Sequence, residues 1–95
     1  PIDECFAQDS EAKLTAYLPE GSIAWLKTDV DEKDDLGRWL TYAWSSDGLF
    51  LNLALAGDGY VRAEPTPPNL TLYPEIERAG QNAASRFAGL WGRCR

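Results

Sequence analysis

Two segments of this chain read clearly as β-strands and little else does, and that shortage limits its folding more than any other feature. Ser22 to Val30, SIAWLKTDV, places Ile23, Ala24, Trp25 and Leu26 at the centre of one strand. Arg38 to Trp44 supplies the other, with Leu40, Tyr42 and Trp44 on one face and Trp39, Thr41 and Ala43 on the opposite one. Leu49 begins a short strand feeding a short helix that Gly59 ends, and Tyr60 to Ala63 has room for one more strand. A sheet this small does not cover its own edges. Further strands are therefore expected from elsewhere, either a missing segment of the same protein or the strand edge of a second chain.

Helical signals surround the strands. Asp9 and Ser10 are N-cap types ahead of EAKLTAYL, where Leu14, Tyr17 and Leu18 recur at helical spacing until Pro19-Glu20-Gly21 stops them. Asp29 to Gly37 reads as a charged turn, and Ser45 to Gly48 as a second turn whose Asp-Gly pair favours positive φ. Glu64 to Thr71 carries Pro65, Pro67 and Pro68, which rule out regular structure, and an X-Pro bond there can be cis. A final helix begins near Tyr73-Pro74. Its packed face is Ile76, Gly80, Ala83, Phe87 and Leu90, with Gly89 as the stop and Leu90-Trp91 docking the tail. The order predicts one α+β domain over residues 1–95 with three helices and an incomplete sheet.

The 95 residues bury roughly 60–70% of their unfolded surface as a small domain. The longest apolar run, Leu49 to Gly57, contains Asn52 and falls short of the roughly 18–20 residues a membrane span needs, so no membrane partner is expected. No leader pattern opens the chain, and it starts at Pro1 without a methionine, so it is expected to be a piece of something longer. A net charge of −6 argues against tight, non-specific binding to nucleic acid, although a few cations in a cleft can act on an acidic body. With no histidine and two cysteines, a zinc site is nearly excluded, and Ser, Thr or Cys nucleophiles lack their usual activating base. Near-terminal Cys5 and Cys94 in a small domain favour a disulfide over two free thiols, and hence an oxidising compartment. Such a bridge closes a loop of about 90 residues, worth about 4–5 kcal/mol by chain entropy. Asp29, Asp31, Glu32, Asp34 and Asp35 do not have the spacing of a calcium loop and read as a solvated acidic turn.

A series of short motifs then runs in order along the chain: Glu4-Cys5-Phe6, Ser10-Glu11-Ala12, Leu18-Pro19-Glu20-Gly21 and Asp34-x-x-Gly37-Arg38. It continues with Asp47-Gly48-x-x-x-Asn52, Gly59 to Ala63, Pro67-Pro68-Asn69 and Gly89-Leu90-Trp91-x-x-Cys94. No single motif is specific, but their order and spacing over essentially the whole chain resemble the thermonuclease, or staphylococcal-nuclease-like, family in its secreted bacterial form. The resemblance implies a five-stranded barrel of the OB type (an oligonucleotide-binding β-barrel) with three helices, of which this chain is the later part. By that resemblance the family's first three strands would lie before Pro1, with the segments that supply its calcium-binding aspartates, one catalytic arginine and the general-base glutamate. Metal ligands are accordingly expected outside this chain.

The resemblance further implies a Ca²⁺-dependent nuclease acting on phosphodiesters of DNA or RNA, located in the extracellular or periplasmic space. Arg38 occupies the glycine-arginine position of the family's second catalytic arginine, where a planar, always-charged fork suits paired phosphate oxygens. Other substrate-side positions depart from the pattern. Asp35 and Leu36 stand where the family carries a basic residue and a tyrosine, and Thr66 replaces a tyrosine that meets the base. Trp39 shares Arg38's end of the strand and is a further substrate-side candidate. The alternative expectation is a catalytically inactive family member used for binding or protein interaction, and the 95 residues alone are not expected to hydrolyse anything efficiently. Asn52 and Asn69 match family asparagines of structural character and are given no catalytic role.

Overall fold

The computed structural model describes residues 5–94. Glu4 of the first motif, and with it the outer ends of the 1–95 domain, lies outside the described residues. The elements are α1 (Ala7–Tyr17), β1 (Ala24–Lys33), β2 (Trp39–Ser45), α2 (Leu51–Gly57), α3 (Tyr73–Ser85) and α4 (Leu90–Arg93). The class is α+β, as expected. Among the described residues the sheet has two strands, β1 and β2, paired antiparallel.

Register runs from Ala24↔Ser45 to Thr28↔Thr41 and then jumps to Lys33↔Trp39. Four residues of β1, Asp29 to Glu32, therefore face a single position on β2, Leu40. This bulge turns the acidic stretch into strand rather than the expected turn, because it finds partners outside the hairpin. Asn69 donates its side-chain amide to the Asp31 carbonyl (2.9 Å) and accepts the Asp31 N–H (2.8 Å), copying one rung of a β-ladder. Asp29 accepts from the Tyr42 hydroxyl, from Thr71 through both its N–H and its hydroxyl, and from the Val30 N–H. These bonds pin the proline-rich loop onto β1.

Of the Leu40-Tyr42-Trp44 face of β2, Tyr42 and Trp44 pack on the core, whereas Leu40 is half-buried and outside it. Tyr42 is buried with Ala56 of α2 and Ile76 of α3, and Trp44 stacks on Phe50 at 4.8 Å between ring centroids. The expected strands at Leu49 and Tyr60–Ala63 do not form. Phe50 makes one isolated bridge to Trp44, and residues 60–63 run irregularly. Among the described residues no third strand lies beside β2; its outer edge is met at Ala43, whose N–H donates to the Asn52 side chain (2.8 Å), and at Ser45, whose N–H donates to the Leu49 carbonyl (2.9 Å). Trp25, at the centre of β1, is 65% exposed.

Both helix-end expectations shift. The first helix starts at Ala7, ahead of Asp9 and Ser10, and the Ser10 hydroxyl instead donates within the helix to the Phe6 carbonyl and across to that of Tyr60. The long helix ends at Ser85, because Phe87 adopts a left-handed φ of 56° and the N–H groups of Phe87 and Ala88 turn back to Ala84 and Ala83. That is a Schellman closure with phenylalanine where glycine is usual. It places Phe87, expected on the packed face, at 58% exposure, while Leu90 remains buried. Gly89 serves a different purpose from the expected stop. Its backbone crosses that of Gly59 so closely that a Cβ on Gly59 would meet the Ala88 carbonyl, and the Leu90 N–H donates to the Gly59 carbonyl (2.8 Å). The disulfide forms: Cys5 and Cys94 are joined with Cα atoms 5.9 Å apart, tying the start of α1 to the end of α4.

Candidate functional site

The hairpin turn between β1 and β2 is built by one side chain. Asp34 Oδ1 accepts the N–H groups of Leu36 and Arg38, each at 2.9 Å, as an acidic residue at the head of a turn commonly does. The Asp34 N–H donates to the Arg38 carbonyl (2.9 Å), the Gly37 N–H donates to the Asp34 carbonyl (3.0 Å), and Gly37 takes a φ of 79° that favours glycine. The second carboxylate oxygen, Oδ2, accepts from Arg38 Nε at 2.7 Å. Together the Arg38 N–H, the guanidinium and the Leu36 N–H hold the Asp34 carboxyl below its ordinary value. The Arg38 side chain is 73% exposed, against 21% for Asp34, and its Nη nitrogens meet no acceptor among the described residues.

Asp35 and Leu36 sit on the same turn, both exposed, Leu36 at 78%. Trp39 follows directly, exposed, with Lys33 Nζ 4.7 Å from its ring centroid. Arg38, Asp35, Leu36 and Trp39 are thus brought together. Thr66 is not: it lies on the proline-rich loop, where its carbonyl accepts the Asn69 N–H (2.7 Å), and among the described residues no bond links it to the turn. Two residues beyond the sequence-based candidates emerge, Lys33 and Asp34. Lys33 and Trp39 flank the turn symmetrically, so a hairpin register drawn through Asp34–Arg38 would have paired them.

A separate cleft of about 500 Å³ runs along the open edge of β2. Leu14 of α1 and Leu18 just after it, Leu40 and Tyr42, and Leu51 and Leu55 of α2 give it an apolar wall, and Thr66 and Asn69 stand at its lining. Arg38 does not line it. Among the described residues no three Asp, Glu, Cys or His side chains converge to hold a metal ion, so these residues do not by themselves fit a calcium site. No helix among them is long and apolar enough to cross a membrane.

Comparison with known proteins gives this geometry its context. The family model described as Staphylococcal nuclease homologue matches residues 3–93. The thermonuclease of Staphylococcus intermedius is 38% identical over 68 residues, which is 72% of this chain and 40% of that protein. The thermonuclease of Staphylococcus hyicus is 36% identical over 66 residues, 70% of this chain and 38% of that protein. The chain spans about two fifths of the length of the curated relatives it matches. With the match running from before α1 to the end of α4, the chain belongs to the staphylococcal nuclease family.

Proposed function

We propose that this chain is the later part of a nuclease that hydrolyses phosphodiester bonds in DNA or RNA, with Arg38 gripping a phosphate. One observation carries the reading. In a chain of this family, the guanidinium at the glycine-arginine position is held at Nε while both Nη nitrogens face solvent. A fork presented this way suits two oxygens of one phosphate, and its fixed charge offsets the negative charge that builds as phosphorus takes on a fifth oxygen. In this reading the ligands of a Ca²⁺ ion and the general base come from sequence outside these residues. The same sequence supplies the strands of an OB-type barrel that would cover the apolar cleft beside β2. The Cys5–Cys94 bridge supports a secreted protein, extracellular or periplasmic.

A second reading, a non-catalytic family member that binds nucleic acid or protein, is favoured by the surroundings of Arg38. Asp35 puts an anion on the turn that would meet phosphate, and neither Leu36 nor Thr66 offers a ring. The deciding experiment is digestion of DNA and RNA by the natural full-length protein with calcium, alongside Arg38→Ala. Cleavage that falls about 10²–10³-fold in the variant supports the first reading. No cleavage by the parent overturns it in favour of the second.

A further inference from the structure

Asp34 does two separable things with its two oxygens. Oδ1 closes the turn by accepting from Leu36 and Arg38 main-chain N–H groups, and Oδ2 accepts from Arg38 Nε. An ion pair this exposed adds little to stability, so its consequence is geometric. A free arginine rotates about several bonds. Here one edge of the guanidinium is occupied and the Nη1–Nη2 edge is the one left for a ligand. We propose that Asp34 is a positioning residue, fixing the Nε edge of Arg38 so that its Nη edge alone is offered to a nucleic-acid phosphate. The inference rests on the reading that Arg38 meets phosphate, and it deepens that reading by naming what aims the fork.

Charge alone predicts the opposite effect. Asp34 is an anion next to the place a phosphate would occupy, so removing its charge should tighten binding unless orientation matters more. Asp35 provides the comparison. It is the adjacent residue, exposed, with the same charge and no bond among the described residues to Arg38. In Asp34→Asn the amide oxygen still accepts the two main-chain N–H groups, whereas the amide nitrogen cannot accept from Nε. The turn is retained and the clamp is lost. Asp35→Asn removes the same charge and leaves the clamp alone.

The test measures binding of a fluorescein-labelled single-stranded oligodeoxynucleotide of about eight nucleotides by anisotropy. It uses the natural full-length protein with chelator present, comparing the parent, Arg38→Ala, Asp34→Asn and Asp35→Asn. Thermal melting of each variant checks the fold. The expected result is weaker binding for Asp34→Asn, about three- to tenfold, the usual consequence of having to immobilise a free side chain on binding. Asp35→Asn should bind as tightly as the parent or more tightly. The NMR signal of the Arg38 Nε–H should be sharp in the parent and broadened in Asp34→Asn, which reports the clamp directly even where melting shifts. If Arg38→Ala weakens binding but Asp34→Asn binds as tightly as Asp35→Asn, the positioning role is overturned and the phosphate reading stands. If Arg38→Ala binds as the parent does, the phosphate reading itself fails, and this inference with it.

Discussion

Removing a single oxygen, in Tyr42→Phe, tests whether the proline-rich loop is held to the hairpin in the way described. The Tyr42 hydroxyl donates to Asp29 Oδ2 at 2.6 Å and accepts the Leu72 N–H at 3.3 Å, so it joins β2, the bulge of β1 and the entry to α3 at one point. Phenylalanine preserves the ring against Ala56 and Ile76 and leaves the Leu72 N–H without its acceptor in a half-buried setting. Losing such a bond should cost about 1–2 kcal/mol. For a domain of this size that is roughly a 5–15 °C fall in melting temperature. The assay is urea and thermal unfolding of the disulfide-intact protein at neutral pH, followed by circular dichroism, with Asp29→Asn and the double variant completing a cycle. The two changes should be non-additive, because both delete the same contact. The pH dependence carries a sign as well. The Tyr42 hydroxyl, followed by Thr71, holds the Asp29 carboxyl below its ordinary 3.8. Its contribution is therefore fully present above 3.8 and is lost as pH falls through the lower folded value, and the penalty of Tyr42→Phe should shrink over that same window. Additive changes to within about 0.3 kcal/mol would refute the network.

Gly59→Ala should destabilise by roughly 2–5 kcal/mol, combining left-handed strain with a Cβ driven against the Ala88 carbonyl, as read from the urea midpoint. Gly21→Ala has a similar φ but open space around it and should show only the strain, about 1–2 kcal/mol. Equal penalties at the two sites would contradict the backbone crossing. The Cys5→Ser/Cys94→Ser pair should lose about 4–5 kcal/mol of unfolding free energy, and adding reductant to the parent should have the same effect. In alkali, burial first and then the bond to Asp29 raise Tyr42 above 10.0, and burial raises Tyr17 and Tyr73 as well. Their contribution holds below 10.0 and is lost as pH rises through the raised folded values. Tyr42→Phe should flatten part of that alkaline decline in a pH-stepped melt.

The inward placement of Tyr42 and Trp44 was legible because alternate residues of a strand share one face, and α2 and α3 cover it there. The disulfide was legible from the near-terminal placement of its two cysteines, and the family from the order of short motifs along the whole chain. The first strand's limits were not. Asp29 to Lys33 looks like a turn until Asn69 and Thr71 arrive from 38 and 42 residues away to satisfy it. The end of α3 does not fall at Gly89, the more usual kind of stop, because the chain turns at Phe87 in a left-handed conformation. Asn69 and Asn52, expected to be structural, each bond to strand main chain, Asn69 at Asp31 and Asn52 at Ala43. At the candidate site, the Asp-x-x-Gly-Arg spacing pointed to Arg38 and a tight turn. The division of labour between the two oxygens of Asp34 is visible only in three dimensions.

The bridge between Cys5 and Cys94 also changes what cutting the chain would mean. With residues 89 positions apart in sequence covalently joined, the polypeptide between them is a closed ring. A protease that nicked the exposed Ser46-Asp47-Gly48 turn would open that ring without separating the halves. Digestion products should migrate as one species until a thiol is added, so a single proteolytic event in an oxidising milieu would leave the molecule in one piece.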